Sequence, residues 1–399
     1  MGSSTKQPLP FNPSILVWAR ERCGMSQEEA ASKVNVVASK VASWEAGESA
    51  PTARQARLLA KAYDRPFLEF FADSIPDLPR VTLAPDFRFY SGVRTRHEDS
   101  AMRAIQEWAE EQRLNALSLI EDLGEQPPVL SANLKFSISD NPDMASAIAR
   151  EAMGFPVEDQ IAIPKSRKHE LPNILRDKIE QMGILVLKQS GLTKLHARGL
   201  CLYADPLPVI VFGGEAPSAQ AFTLAHEFGH VLTTTSAISG GPSVDVDDDR
   251  TGRHIENWCN KFASSFLMPA SVVAEYEPAP SSPQTSYSSS RLSELADAFG
   301  VSRHAMLIRL VALDYVVPEY YWQTMRPVFR AEEEDYSSFA RSKYYGKRYV
   351  NSRGMLYTSL VMEAWGNGII SSHNAAEYMG IKNLSHLIDV KKDLEGVDA

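Results

Sequence analysis

The decapeptide FTLAHEFGHV, residues 222–231, constrains this chain more than any other stretch. It sets His226 and His230 four positions apart, with Glu227 directly after the first histidine. In a helix, positions four apart lie one turn above each other on the same side, so two imidazoles can face one ion. Glu227 then stands about 100 degrees round from His226, beside such an ion. The flanking residues supply the helix. Within APSAQAFTLAHEFGHVLTT, Phe222, Ala225, Phe228, Gly229 and Leu232 recur on one face. The spacing is that of HExxH, two zinc ligands and one general base. The competing reading is a buried helix that carries no metal. A catalytic zinc site needs a third protein ligand and an open position for water, so the rest of the chain decides between them.

Composition narrows the setting. With 399 residues the chain exceeds one ordinary core and is expected to form two or three domains. Its three cysteines, Cys23, Cys201 and Cys259, form no CxxC pair, which argues against a disulfide framework or a cysteine zinc cluster. A reducing cytoplasm fits best. The N-terminus lacks the apolar core of a signal peptide, and no apolar run is long enough to span a bilayer, so no membrane partner is expected. MGSSTK approaches a myristoylation signal but has Lys6 where Ser or Thr is required. A formal net charge of −9 argues against a general nucleic-acid coat and leaves only a local basic face for DNA.

The first unit is expected over residues 13–72. SILVWARERCG has helical spacing and stops at Gly24. Ser26 and Glu29 make a capping box at the start of a second helix, and Asn35 breaks it at a tight turn. VVASKVASWEAG gives a third helix, and Pro51 and Thr52 open a fourth. Short helices with a tight turn between the second and third indicate a helix-turn-helix. The stretch MSQEEAASKVNVVASKVASWEAGESAPT resembles the Xre/Cro-type repressor domain, with Gln27 beginning the buttressing helix, Trp44 and Glu45 following the recognition helix, and Gly47 and Pro51 in the next loop. The expected base-reading surface, Val37 to Ser43, departs from that pattern: it contains no Arg, Asn or Gln for a bidentate base contact. Gln27, Ser39, Lys40, Ser43 and Arg54 are the candidate DNA contacts, with phosphate contacts from Gln27, Lys40 and Arg54 carrying most of the affinity. Protein–protein contact is the alternative use of this unit.

Residues 73–125 are expected to comprise an extended linker and one long helix, HEDSAMRAIQEWAEEQRLNALSLIEDLG. Residues 126–275 hold the opening decapeptide. GILVLKQS, GLCLYA and PVIVFGG are short apolar runs between turn residues and are expected to be strands. HIENWCNKFASSFLMP is a further helix with Glu256 in its first turn and an apolar stripe through Ile255, Trp258, Phe262, Phe266 and Leu267. FTLAHEFGH followed by ENWCNKFASSFLMP resembles the ImmA/IrrE family of zinc metallo-endopeptidases, whose second motif reads E-x-x-A-N-x-F-A; here Cys259 replaces the alanine. The resemblance implies that Glu256 completes a Zn2+ site with His226 and His230, and that Glu227 is the catalytic base. It also implies a zincin-like domain, preceded at the junction by DFR, Asp86 to Arg88. A sheet edge near PVIVFGG is expected to hold an extended substrate. His254 lies two steps from Glu256 and points elsewhere; Cys259 is expected to be a small core residue.

The loop between the motifs carries Asp245, Asp247, Asp248 and Asp249 without the spacing of a calcium loop, and is taken as solvated. EPAPSSPQTSYSSS has the composition of a linker. LADAFGVSRHA, within residues 285–318, has the pattern of a second helix-turn-helix, free either to read DNA or to pack on the peptidase. Residues 319–399 are a C-terminal helical region. Its Lys343, Lys347, Arg348 and Arg353, interleaved with Tyr344, Tyr345 and Tyr349, suit nucleic acid or a partly packed loop. The expected fold is mainly α with a small β-sheet (α+β). Two functions remain. One is a regulatory zinc protease with a DNA-binding domain that cleaves a repressor. The other is a DNA-binding transcriptional regulator, or antitoxin of a toxin–antitoxin operon with a toxin partner, whose metal site is non-catalytic or sensory. A homodimer is compatible with either.

Overall fold

The computed structural model describes residues 11–63, 65–76, 84–85, 96–239, 253–334 and 344–395. DFR at Asp86–Arg88, the four aspartates of the acidic loop and Lys343 lie outside the described residues. The architecture is α+β: helices throughout and one small mixed sheet. The chain divides into two compact units, the first built on the N-terminal helices and the second on the residues from Trp108 onward together with Ala84 and Pro85.

In the first unit, α1 (Pro13–Arg22), α2 (Gln27–Val34), α3 (Ala38–Glu45) and α4 (Ala53–Ala62) enclose a core of Ile15, Leu16, Ala30, Val34, Val41, Trp44, Leu59 and Phe70. Ser26 and Glu29 form the reciprocal capping box, and Asn35 takes the left-handed conformation that turns α2 into α3. Two expectations shift. The third helix starts at Ala38, with Val36 and Val37 outside it, and Trp44 and Glu45 form its last turn. Trp44 is in α3 because the core needs its ring one turn beyond Val41. α5 (Arg96–Asp122) is the expected long helix.

The second unit runs through α6 (Pro142–Met153), α7 (Val157–Ala162), α8 (Leu171–Gln181), β1 (Leu185–Lys188), β2 (Gly199–Leu202), β3 (Val209–Phe212), α9 (Pro217–Leu232), β4 (Ala237–Ser239), α10 (Arg253–Leu267), α11 (Ala270–Tyr276), α12 (Ser289–Phe299) and α13 (Arg303–Ala312). The three expected strands are present, and β4 is an addition. Sheet order is β1-β3-β2-β4; β1 and β3 are parallel and the other pairs antiparallel. β3 is therefore interior, hydrogen-bonded on both sides, and cannot be the edge that was expected at PVIVFGG. The edge strands are β1 and β4.

α9 is buried on every side from Gln220 to Leu232, which is why its sequence is apolar almost all round. Its buried polar residues are confined to a stripe at Gln220, Thr223, Glu227 and His230, with His226 beside it. α10 crosses α9 at Gly229. A Cβ at that glycine would come within 3.2 Å of Phe262 Cδ1 and 3.3 Å of Cys259 Sγ, so the missing side chain is what lets the two helices approach. Cys259 is indeed a fully buried core residue. The far end of α10 is pinned by buried polar groups on its orphan carbonyls. Arg150 Nη1 donates to Phe266 O at 2.6 Å, Gln160 Nε2 to Leu267 O at 3.0 Å and Arg309 Nε to Met268 O at 2.8 Å. These contacts fix the position of α10, and so of Glu256 in its first turn.

α12 and α13 do have helix-turn-helix geometry, with Gly300 at the turn and Ser302 capping α13. However, residues 304 to 311 of α13 are all buried in the same core as α9 and α10, so this helix presents no face to a DNA groove. The Ser- and Pro-rich tract before it is also not a free linker: Gln284 pairs with Val316, and Tyr287 is buried. Composition suggested a tether, but one backbone bridge and one ring suffice to hold it down.

The C-terminal region contains α14 (Pro318–Tyr320), α15 (Arg326–Glu334), α16 (Tyr345–Arg353), α17 (Met355–Gly366), α18 (Ser372–Met379) and α19 (His386–Leu394). The described part of the basic-aromatic stretch is the helix α16, with Tyr344, Lys347 and Arg348 exposed and others of its residues engaged. Tyr345 stacks on His386 with ring centroids 3.9 Å apart, and Arg353 lies over the Trp108 ring at 5.1 Å. Buried Glu180 accepts from Met355 N at 2.8 Å and Leu356 N at 3.1 Å, seating the start of α17 beside the sheet.

Overpacking the helix crossing is expected to be costly. Gly229→Val should destabilise the second unit by about 1–3 kcal/mol, read as a lower denaturant midpoint with unchanged slope; a midpoint equal to the parent's would contradict the close approach.

Candidate metal centre

The crossing of α9 and α10 brings three ligand-bearing side chains to one point. His226 Nε2 lies 3.2 Å from His230 Nε2 and 3.4 Å from Glu256 Oε2, and His230 Nε2 lies 3.0 Å from Glu256 Oε1. All three residues are buried. Among the described residues they are the group of His, Cys, Asp and Glu whose atoms could hold a metal ion. Two ligand atoms at zinc-like bond lengths and a tetrahedral angle stand roughly 3.3 Å apart, so the observed separations suit a single small cation.

The surroundings fix the ligand faces. Thr235 Oγ1 lies 3.1 Å from His230 Nδ1, which leaves Nε2 as the metal-facing nitrogen. Asn260, one turn along α10 from Glu256, lies close enough to His226 to help raise its imidazole. Burial opposes charge on Glu256, yet the adjacent His226 and His230 imidazoles hold its carboxyl down at about 2. Burial acts to lower His226, and Glu256 outweighs it, so that imidazole is raised; His230, with burial dominant, is lowered.

Glu227 is the exception in the polar stripe of α9. Gln220 donates to the Glu215 carbonyl and accepts from Lys188 Nζ at 3.2 Å; Thr223 donates to Glu215 Oε2 at 2.8 Å. Both carboxylate oxygens of Glu227, by contrast, are buried without a hydrogen-bond partner among the described residues. Burial pushes this carboxyl up to about 8. Its place is cut out of the sheet: a Cβ at Gly199 on β2 would collide with the Glu227 carboxylate, so a glycine is required opposite it. Ser239, the cross-strand partner of Gly199 on β4, is buried with its hydroxyl 3.4 Å from His230 Nε2.

All four residues expected at the metal site thus converge, and His254 points away, lining a separate surface cavity with Asn257, Trp258 and Lys261 on the far side of α10. Gly199, Thr235 and Ser239 were missed. A glycine inside an apolar strand signals close approach by another group, and that was the available cue for Gly199. Nothing in the sequence marks Ser239, because β4 is only three residues long, or Thr235, which lies in the turn between α9 and β4.

The candidate DNA contacts behave differently from one another. Gln27 Nε2 donates to Glu45 Oε2 at 2.8 Å, and Arg20 holds the same carboxylate at 2.6 and 3.0 Å. Lys40 Nζ and Ser43 Oγ both turn to Ser49 Oγ, at 3.3 and 2.7 Å. Ser39 and Arg54 are exposed.

Metal binding should be measurable without any activity assay. Added Zn2+ should raise the melting temperature and a chelator should reverse the shift, with the effect lost in His226→Ala combined with Glu256→Ala. Because the ligands must be deprotonated and Glu256 raises His226, protons compete as pH falls. The stabilisation by metal should shrink below neutral pH, by up to about tenfold in affinity per pH unit per proton displaced. A shift retained in the double variant would exclude this cluster as the metal site.

Two family models match the chain. Residues 179–311 match the one described as IrrE N-terminal-like domain, a peptidase family, and residues 16–70 match the one described as helix-turn-helix. The first match contains β1 to β4 and the whole of α9 and α10, and so every residue of the metal cluster. No curated protein and no solved structure matches the chain. No helix among the described residues is long and apolar enough to cross a membrane. The chain therefore joins a helix-turn-helix domain to a domain of the IrrE N-terminal-like peptidase family, the pairing that its resemblance to ImmA/IrrE proteins implied.

Proposed function

We propose that this protein is a regulatory zinc-dependent endopeptidase that acts in the cytoplasm on a transcriptional repressor or similar regulator, and that its helix-turn-helix domain binds duplex DNA. The observation that carries the reading is Glu227: a buried carboxylate with both oxygens unpartnered, set in a space kept open by Gly199 beside a metal-ligand cluster. Metal retention alone needs no such group, and an unpartnered buried carboxylate is costly unless it serves a purpose. A zinc ion held by His226, His230 and Glu256 would supply a Lewis acid for a peptide carbonyl and a water, and a positive charge that favours the ionised form of Glu227.

Glu227 then accepts the proton of the attacking water and returns it to the leaving amine. His230 is held by Thr235, so this ligand ring does not swing as the charge develops. β4 is the sheet edge that carries Ser239 next to the cluster, and its outward Ile238 N–H donates to Pro85 O at 2.9 Å. An extended substrate adding to this edge would take the place of Pro85. On the DNA side, Lys40 and the exposed Arg54 supply phosphate contacts, so affinity should fall steeply with salt.

One side chain separates this reading from a regulator or antitoxin with a sensory metal site. Glu227→Gln keeps the size of the residue but cannot accept the proton. Cleavage of the repressor partner should drop by roughly a hundredfold or more, with metal content unchanged. Gly199→Ala, which displaces the same carboxylate, should behave alike. The assay is a transcriptional reporter with immunoblots of candidate helix-turn-helix partners from the same cells. Equal reporter output and partner levels in parent and Glu227→Gln, under every inducing condition, would favour the regulator instead.

A further inference from the structure

In α3, Val41 and Trp44 face the core, and the opposite side is open to a DNA groove. The polar groups on that side offer little base discrimination. Lys40 and Ser43 are drawn to Ser49. Gln27, at the start of α2, donates one amide N–H to Glu45, and Glu45 is held by Arg20, which occupies the carboxylate and anchors the Gln27 side chain beside α3. Ser39 is exposed, but a hydroxyl accepts any base partner.

One residue on this surface is out of place. Val37, immediately before α3, is 68 % exposed, and it contributes neither to the core nor to a side-chain cap. An isopropyl group gains nothing from water, and a small polar residue would serve the turn better. The major groove presents one apolar group to which such a side chain is complementary, the C5-methyl of thymine.

We propose that Val37 is a specificity-determining residue of the helix-turn-helix domain and that it selects thymine through methyl contact. This rests on the reading that the domain binds duplex DNA. Exposed Lys40 and Arg54 hold the backbone without choosing sequence, and Val37 supplies the choice.

The test uses the full chain. It is first incubated with randomised duplex DNA at low salt, and the bound fraction is sequenced. A thymine at a fixed position in each enriched half-site is expected. That thymidine is then replaced by deoxyuridine, which removes only the methyl group. Affinity of the parent should fall roughly fourfold, the value of one buried methyl group. Val37→Ser, which puts a hydroxyl in place of the two methyl groups, should bind the two duplexes equally, and being exposed, the position tolerates the change. Lys40→Ala should weaken both duplexes and keep their ratio. Enriched sites without a fixed thymine, a parent indifferent to deoxyuridine, or a Val37→Ser variant that keeps the preference would each overturn the proposal. Failure to retain any duplex at the first step would instead remove the DNA-binding reading, and Val37 with it.

Discussion

The closeness of α9 to α10 is the constraint on which the rest of the second unit depends. Gly229 lets the helices meet against Cys259 and Phe262, and the stacked and edge-on rings of Trp258, Phe262, Phe266 and Phe228 fill the seam. At this separation Glu256, in the first turn of α10, reaches the two imidazoles of α9. A wider crossing would leave three buried polar groups apart, each without a partner. Apolar packing thus sets a geometry that polar chemistry uses, and the buried Arg150, Gln160 and Arg309 at the other end of α10 prevent it from sliding.

The same crossing separates two kinds of buried polar group. Gln220 and Thr223 are satisfied by neighbours and act as structure. His226, His230 and Glu256 are arranged for a cation, and Glu227 is left without partners in a space that the sheet provides. Strand β2 contributes by having no side chain at Gly199, and β4 by ending with Ser239 against His230. The functional reading comes from this contrast along one stripe of one helix.

In the first unit the polar network has the opposite effect. Arg20, Gln27 and Glu45 bond to one another, which stabilises the joint between α1, α2 and α3 and ties up the Glu45 carboxylate. On α3 itself what remains outward is short or hydroxylic apart from Lys40, with Val37 just before it. A domain built this way relies on phosphate attraction for affinity and on shape or methyl contact for discrimination.

Helical spacing by itself determined that His226, Glu227 and His230 share a helix and that the two imidazoles face one ion. Turn chemistry determined Ser26, Asn35 and Ser302, because a cap or a left-handed turn is decided within four residues. Runs of β-branched and aliphatic residues located β1, β2 and β3, but not their order, because pairing partners lie far apart in sequence. Only the tertiary structure decided that β3 is interior, that β4 exists, that α13 is entombed, and that Gln27 is bound to Glu45. Glu256 stood in the second motif as a resemblance; its approach to the histidines came from the packing of two helices more than twenty residues apart. Local sequence fixes which residues share a face, whereas the depth to which that face is buried depends on every element packed against it.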